Sequence, residues 1–233
     1  TGFVPTPLAF IADLKGILRD QYGEGSILKE LLQNADDAQA SELHLGLHEG
    51  WKEAQHPLLR GPSLVVLNDG PFVEANAEAI RRPRVGTKGA QAESIGRFGL
   101  GMKSVFHLCE AFFFLASPNQ PAAAGQPYVQ LLNPWHGTGF HPDWDSYSEE
   151  WGRLHHAVDG WAHGCERWFC LWLPLRRKQH LAGVAPIVSL EPDVHRFADR
   201  DALRELALNL PMLRSVRRVS LWKSRDWHTR QDA

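Results

Sequence analysis

Hydrophobic and polar positions alternate along this chain in two distinct rhythms, and the switches between them mark its elements. Leu8, Ile11, Leu14, Ile17 and Leu18 recur at helical spacing over 8–21 and predict an amphipathic helix. A break over 22–25 is followed by Ser26, a suitable N-cap, and a second helical pattern to about 39. Period-two alternation of Leu43, Leu45 and Leu47 predicts a strand over 42–48, and the apolar run 63–67, closed by Asn68-Asp69-Gly70, predicts a buried strand. A short helix follows over 75–80, then a long basic loop over 81–94. The glycine turn 96–101 opens a helix that ends near 108. Strands are predicted over 112–116, 128–132 and 168–173, a helix over 201–213 and a last strand over 216–222. Helices come early and antiparallel-capable strands follow, which predicts a two-layer α/β sandwich with helices on one face of a mixed, mostly antiparallel sheet.

The second helix carries Glu30, Asn34 and Asp37 within about 60° of one another, opposite Leu28, Leu31, Leu32 and Ala35. Carboxylate, amide and carboxylate on one stripe suit a hard cation such as Mg²⁺ with phosphate partners, and a carboxylate there can orient or deprotonate an attacking water. Such a stripe is also what any solvated helix face looks like. The turn Gly96-Arg97-Phe98-Gly99-Leu100-Gly101 supplies a second element, since glycine-rich turns let backbone N–H groups approach anionic oxygens. Its spacing is not that of a dinucleotide fingerprint, and no Walker A sequence is present.

Glu30–Ala38 (ELLQNADDA), Val65–Phe72 (VVLNDGPF) and Gly96–His107 (GRFGLGMKSVFH), in that order, resemble the GHKL ATP-binding superfamily, and within it the heat-shock-chaperone and sacsin-like branch. The likeness covers residues 14–132 well and the remainder thinly. It implies ATP and Mg²⁺ as ligands, Glu30 as catalytic acid–base, Asn34 as the Mg²⁺ ligand and Asp37 as a supporting acid. It also implies Gly70 as the turn glycine of the second motif, with Gly96, Arg97, Phe98, Gly99, Leu100 and Gly101 wrapping the phosphates. Lys88, in the lid of that scheme, either reaches a phosphate or is solvated. The family's adenine-reading position is an Asp. Here Asn68 stands at it and Asp69 follows, so the base is read by Asn68, by Asp69 after a one-residue shift, or by both. The family's later Gly-Thr pair is replaced by Gly164-Cys165. The resemblance implies a slow Mg²⁺-dependent ATPase acting as a conformational switch in a larger sacsin- or chaperone-like protein. The alternatives are a nucleotide-free scaffold of the same fold and the ATPase module of a nucleic-acid-processing or defence system.

Composition narrows the class without choosing among these. The 233 residues are 43% hydrophobic and 22% charged, with a net charge of −2, so no global field favours nucleic acid or an anionic membrane. No apolar run nears the roughly 20 residues of a membrane helix. Three cysteines are too few for a disulfide framework and suit a reducing cytoplasm. The expected organisation is a core over 1–175 and a helix–strand extension over 176–233 leading to further domains of the same polypeptide, with a homodimer open by family analogy. His155, His156, Asp159, His163 and Cys165 have ligand types that suit zinc, and a late basic excess that includes Arg176, Arg177, Arg214, Arg217 and Arg218 suits a docking face better than nucleic acid. The nine Trp against three Tyr have no functional assignment.

Overall fold

The computed structural model describes residues 7–20, 27–81, 102–139, 144–147, 149–162, 164–180, 184–188, 192, 200–222 and 230–232. Among these, helices α1 (Pro7–Asp20) and α2 (Ile27–Asp37) precede strands β1 (Glu42–His48) and β2 (Ser63–Asn68). Helix α3 (Glu74–Arg81), the 3₁₀ helix Met102–His107 and strands β3 (Phe112–Ala116) and β4 (Tyr128–Leu132) come next. Helix α4 (Glu149–Trp161), strand β5 (Phe169–Pro174), helix α5 (Arg200–Asn209) and strands β6 (Arg218–Trp222) and β7 (Arg230–Asp232) complete the described elements.

The strands form one seven-stranded sheet in the order β4-β3-β5-β2-β1-β6-β7. Every pairing is antiparallel except that of β1 with β6. The expected mixed, mostly antiparallel α/β sandwich is therefore the observed fold. Paired residues share a face of the sheet. One face carries Leu45, Val66, Leu171 and Phe114 in a single cross-strand row, and the other carries Gly46, Val65, Trp172 and Phe113. On the first face, Phe106 of the 3₁₀ helix meets Phe112, and α1 and α2 both pack on that 3₁₀ helix. Ile11, Leu14 and Leu18 of α1 and Ile27, Leu28, Leu31, Leu32 and Ala35 of α2 are buried there, which is the helical spacing seen in the sequence.

The opposite face is covered as well. Trp161 of α4 stacks on Trp172 at 5.4 Å, and Trp51 stacks on it at 5.3 Å. His48 lies against all three rings. Helix α4 was not among the predicted elements. Its sequence EEWGRLHHAVDGW buries only Leu154, His155 and Val158 and includes two glycines, so its periodicity is faint. Strand β7 lies in a stretch with only a polar tail's signature. Strands β6 and β7, beyond residue 176, belong to this same sheet, with β6 beside β1.

Candidate functional site

Three separated segments meet at α2. Its polar stripe keeps Glu30 and Asp37 half-buried and buries Asn34 to 8% exposure. Asp37 Oδ1 accepts from Gln33 Nε2 at 3.1 Å. Burial, and then the Asp37 charge, raises the Glu30 pKa above the ordinary carboxylate value. The Asn34 Nδ2 is sealed from solvent with no hydrogen-bond partner among the described residues. A buried amide left unbonded is costly in a folded protein and calls for a partner such as an ordered water, an ion or a ligand.

Asp36, adjacent to Asp37, performs a different task. Its Oδ1 accepts from the N–H groups of Ser215 (2.6 Å) and Val216 (3.1 Å), and its Oδ2 from that of Arg214 (3.1 Å). Burial pushes this carboxyl up, but the N–H groups of Ser215, Arg214 and Val216 and the Arg214 charge outweigh it, so its pKa lies below the ordinary value. Asp36 clamps the end of α2 to the entry of β6. The sequence places two acids side by side without showing that they divide the work, because the partners of Asp36 are nearly 180 residues away.

The Asn68-Asp69-Gly70 turn follows β2 and packs on the end of α2. A Cβ at Gly70 would lie 2.8 Å from the Ala38 carbonyl oxygen and 3.0 Å from Asn68 Oδ1, so glycine is what the close approach admits. Asn68 Oδ1 accepts from the Gly70 N–H at 3.0 Å. Both Asp69 carboxylate oxygens are engaged: Oδ1 by the N–H groups of Ser41 and Glu42, and Oδ2 by the Ser41 hydroxyl. Gln120, missed in the sequence, brackets the turn from the far side. Its Nε2 donates to the Gly70 carbonyl at 2.9 Å and its Oε1 accepts from the Phe72 N–H at 2.8 Å.

The third segment enters through the 3₁₀ helix Met102–His107, which packs on α2 and is buried throughout. Lys103 within it is 2% exposed and lines a small cleft with Ile80, Met102, Phe106, Phe112 and Leu132. Burial lowers its pKa, with Asp13 pulling the other way. Lys103 belongs to the quoted motif but carries no sequence signal that separates it from a surface lysine. The positions Lys88, Gly96, Arg97, Phe98, Gly99, Leu100 and Gly101 lie outside the described residues.

The other constellations have structural uses. His155 contacts the Ala116 carbonyl at 3.0 Å, and Asp159 accepts from the Trp168 indole. Among the described residues, no group of three or more His, Cys, Asp or Glu is placed to hold a metal; His163 lies outside them. Arg176 is buried and paired with Glu110, donating also to the carbonyls of His107, Phe106 and Cys109. Arg217 bonds to local carbonyls and Arg218 to Glu42. No helix of the described residues is long and apolar enough to cross a membrane.

The fold and site define an α/β domain whose candidate site is assembled from three separated segments around one helix. The family model of the Sacsin domain matches residues 8–136, more than half of the sequence, and the chain belongs to that family. It is 35% identical to human Sacsin over 136 residues, which are 52% of this chain and 3% of that relative. The chain thus spans a small fraction of the length of the relative it matches. The matched stretch includes α2, the Asn68–Gly70 turn and the glycine-rich sequence 96–101.

Proposed function

We propose that this chain is a nucleoside-triphosphate-binding domain, with ATP the nucleotide its resemblance implies, and that it hydrolyses its ligand slowly as a conformational switch within a larger sacsin- or chaperone-like protein of the cytoplasm. The observation that carries the reading is the buried Asn34, whose Nδ2 has no hydrogen-bond partner among the described residues, on the same stripe as the half-buried Glu30. Asn34 would hold Mg²⁺ through its neutral oxygen, a hard donor that suits the ion. When bound, Mg²⁺ supplies positive charge against the phosphate oxygens. Glu30 then works as the base. Its carboxylate orients the attacking water and takes its proton, and its raised pKa keeps it closer to the working pH than an ordinary glutamate. Asp37, one helical turn beyond Asn34, adds negative charge that favours proton uptake at Glu30. Asp69 holds the start of β1, so base reading falls to Asn68. Within this reading, further domains of the same polypeptide receive the conformational change.

Glu30→Gln separates binding from chemistry. Calorimetry with ATP and Mg²⁺ should show unchanged affinity in this variant, while phosphate release falls by about a hundredfold. Hydrolysis at the parent rate would remove Glu30 from its role, and absence of binding at millimolar ATP would favour a scaffold. The engagement of Arg176, Arg217 and Arg218 within the fold argues against a nucleic-acid face. Hydrolysis that DNA or RNA does not stimulate is the expected result.

A further inference from the structure

We infer that the outward stripe of α5 pairs with the same stripe of a second copy of this chain, forming a weak two-fold dimer. Helix α5 packs on α2 and β6 and runs into the 3₁₀ turn Leu210–Met212. It buries Ala202 and Leu206, while Leu203, Leu210 and Leu213 pack half-buried against the core. Its outward side, which a solvated amphipathic helix keeps polar, turns apolar at the C-terminal end. Leu208 is 80% exposed and Met212 83%, the most exposed large apolar side chains among the described residues. One such residue is ordinary on a protein surface, but two of them one helical turn apart make a patch. Pro211 beside them is exposed as well.

The charges on the stripe identify its occupant. At 100° per residue, Asp201, Arg204 and Leu208 project within about 60° of one another. The side chains of Asp201 and Arg204 are 88% and 81% exposed, and the contact between them is loose at 3.7 Å. Glu205, next to Arg204, is committed to Lys29 of α2 at 2.9 Å. The stripe therefore presents one acid, one base and an apolar end. An anionic membrane or a nucleic acid calls for a surface of one sign, whereas a second copy supplies the matching base and acid. When two such helices lie parallel about a two-fold axis, Leu208 meets the partner's Leu208, and each flank of the stripe meets the opposite flank of the other copy. Helical rotation puts Asp201 on one flank and Arg204 on the other. Asp201 then faces the partner's Arg204, and Arg204 faces the partner's Asp201. Antiparallel pairing centred on Leu208 would instead set Asp201 beyond the end of the second helix. Few side chains take part, so the contact belongs with small, transient interfaces.

The test is sedimentation velocity of the 233-residue chain, without nucleotide, from about 1 μM to about 1 mM. Dimer should grow across that range and weaken as salt is raised. Leu208→Asp, Asp201→Arg and Arg204→Asp should each weaken association at least about tenfold, with melting curves like the parent's because all three positions are exposed. Mixing the Asp201→Arg chain with the Arg204→Asp chain sets an all-basic stripe against an all-acidic one. The mixture should form a dimer with one copy of each, a rescue that no contact within a single chain can produce. A parent chain that stays monomeric throughout, or a dimer that Leu208→Asp leaves unchanged, overturns the inference. So does a mixture that associates no more tightly than either variant alone.

Discussion

At the scale of single residues, the run Asn34-Ala35-Asp36-Asp37 shows how neighbouring side chains on one helix diverge in use. Helical rotation turns Asp37 onto the polar stripe with Glu30 and Asn34, and turns Asp36 toward the loop before β6. The stripe was legible because 3.6-residue periodicity acts within a dozen residues. The clamp was not, because its donors at 214–216 are brought to α2 only by the closed sheet. The two acids should therefore respond differently to mutation. Asp36→Ala leaves three backbone N–H groups without their acceptor and should cost about 3 kcal/mol in urea unfolding. Asp37→Asn should change stability by less than about 0.5 kcal/mol.

At the scale of elements, strand positions were readable nearly to the residue, since β1, β3 and β4 have the bounds that alternation and apolar runs predict. Elements whose burial is lopsided or polar were not. Helix α4 lacks a strong apolar stripe because its main contacts are made by rings, Trp161 on Trp172 and His155 against Trp168. This also accounts for much of the tryptophan excess. Trp51, Trp161 and Trp172 form a stacked group over the face of the sheet opposite α2, with Arg153 capping Trp51 at 4.9 Å. Another long-range tie is the Arg176–Glu110 pair, with Arg176 joining the end of β5 to the 3₁₀ helix of the third motif. Burial raises the Glu110 carboxyl pKa against the pull of Arg176. Arg176→Met would leave that carboxyl buried with only the Trp135 indole and the Ile187 N–H as partners among the described residues. The expected loss is about 3–5 kcal/mol, measurable by denaturant titration, and Glu110→Gln should recover part of it.

At the scale of the whole molecule, the sheet encloses histidines that must stay neutral. Burial, and then Arg153, lowers the His48 pKa from 6.5 to about 4, and burial also lowers that of fully enclosed His56 to about 4. The unfolded chain takes up these protons near 6.5 and the folded chain only near 4. Stability is therefore complete above pH 6.5 and is lost as pH falls through that window, by up to roughly 1.4 kcal/mol per unit for each histidine. Glu30 and Glu110, with raised pKa values, oppose the trend. The melting temperature should drop between pH 7 and pH 5, and His56→Gln should flatten that drop.

The parallel pairing of β1 with β6 has a consequence for how the protein is made. Glu42 and Arg218 bond across a sequence separation of 176, and Leu43 and Leu45 find their partners in Val219 and Leu221. A ribosome delivers β1 early and β6 late, so for most of synthesis the nascent chain carries an open strand edge of apolar residues. The Asp36 clamp, which needs Ser215 and Val216, is equally late. Folding to the native sheet can finish only after β7, which ends at Asp232, has emerged. A message truncated before that point would yield a sticky intermediate rather than a smaller working domain.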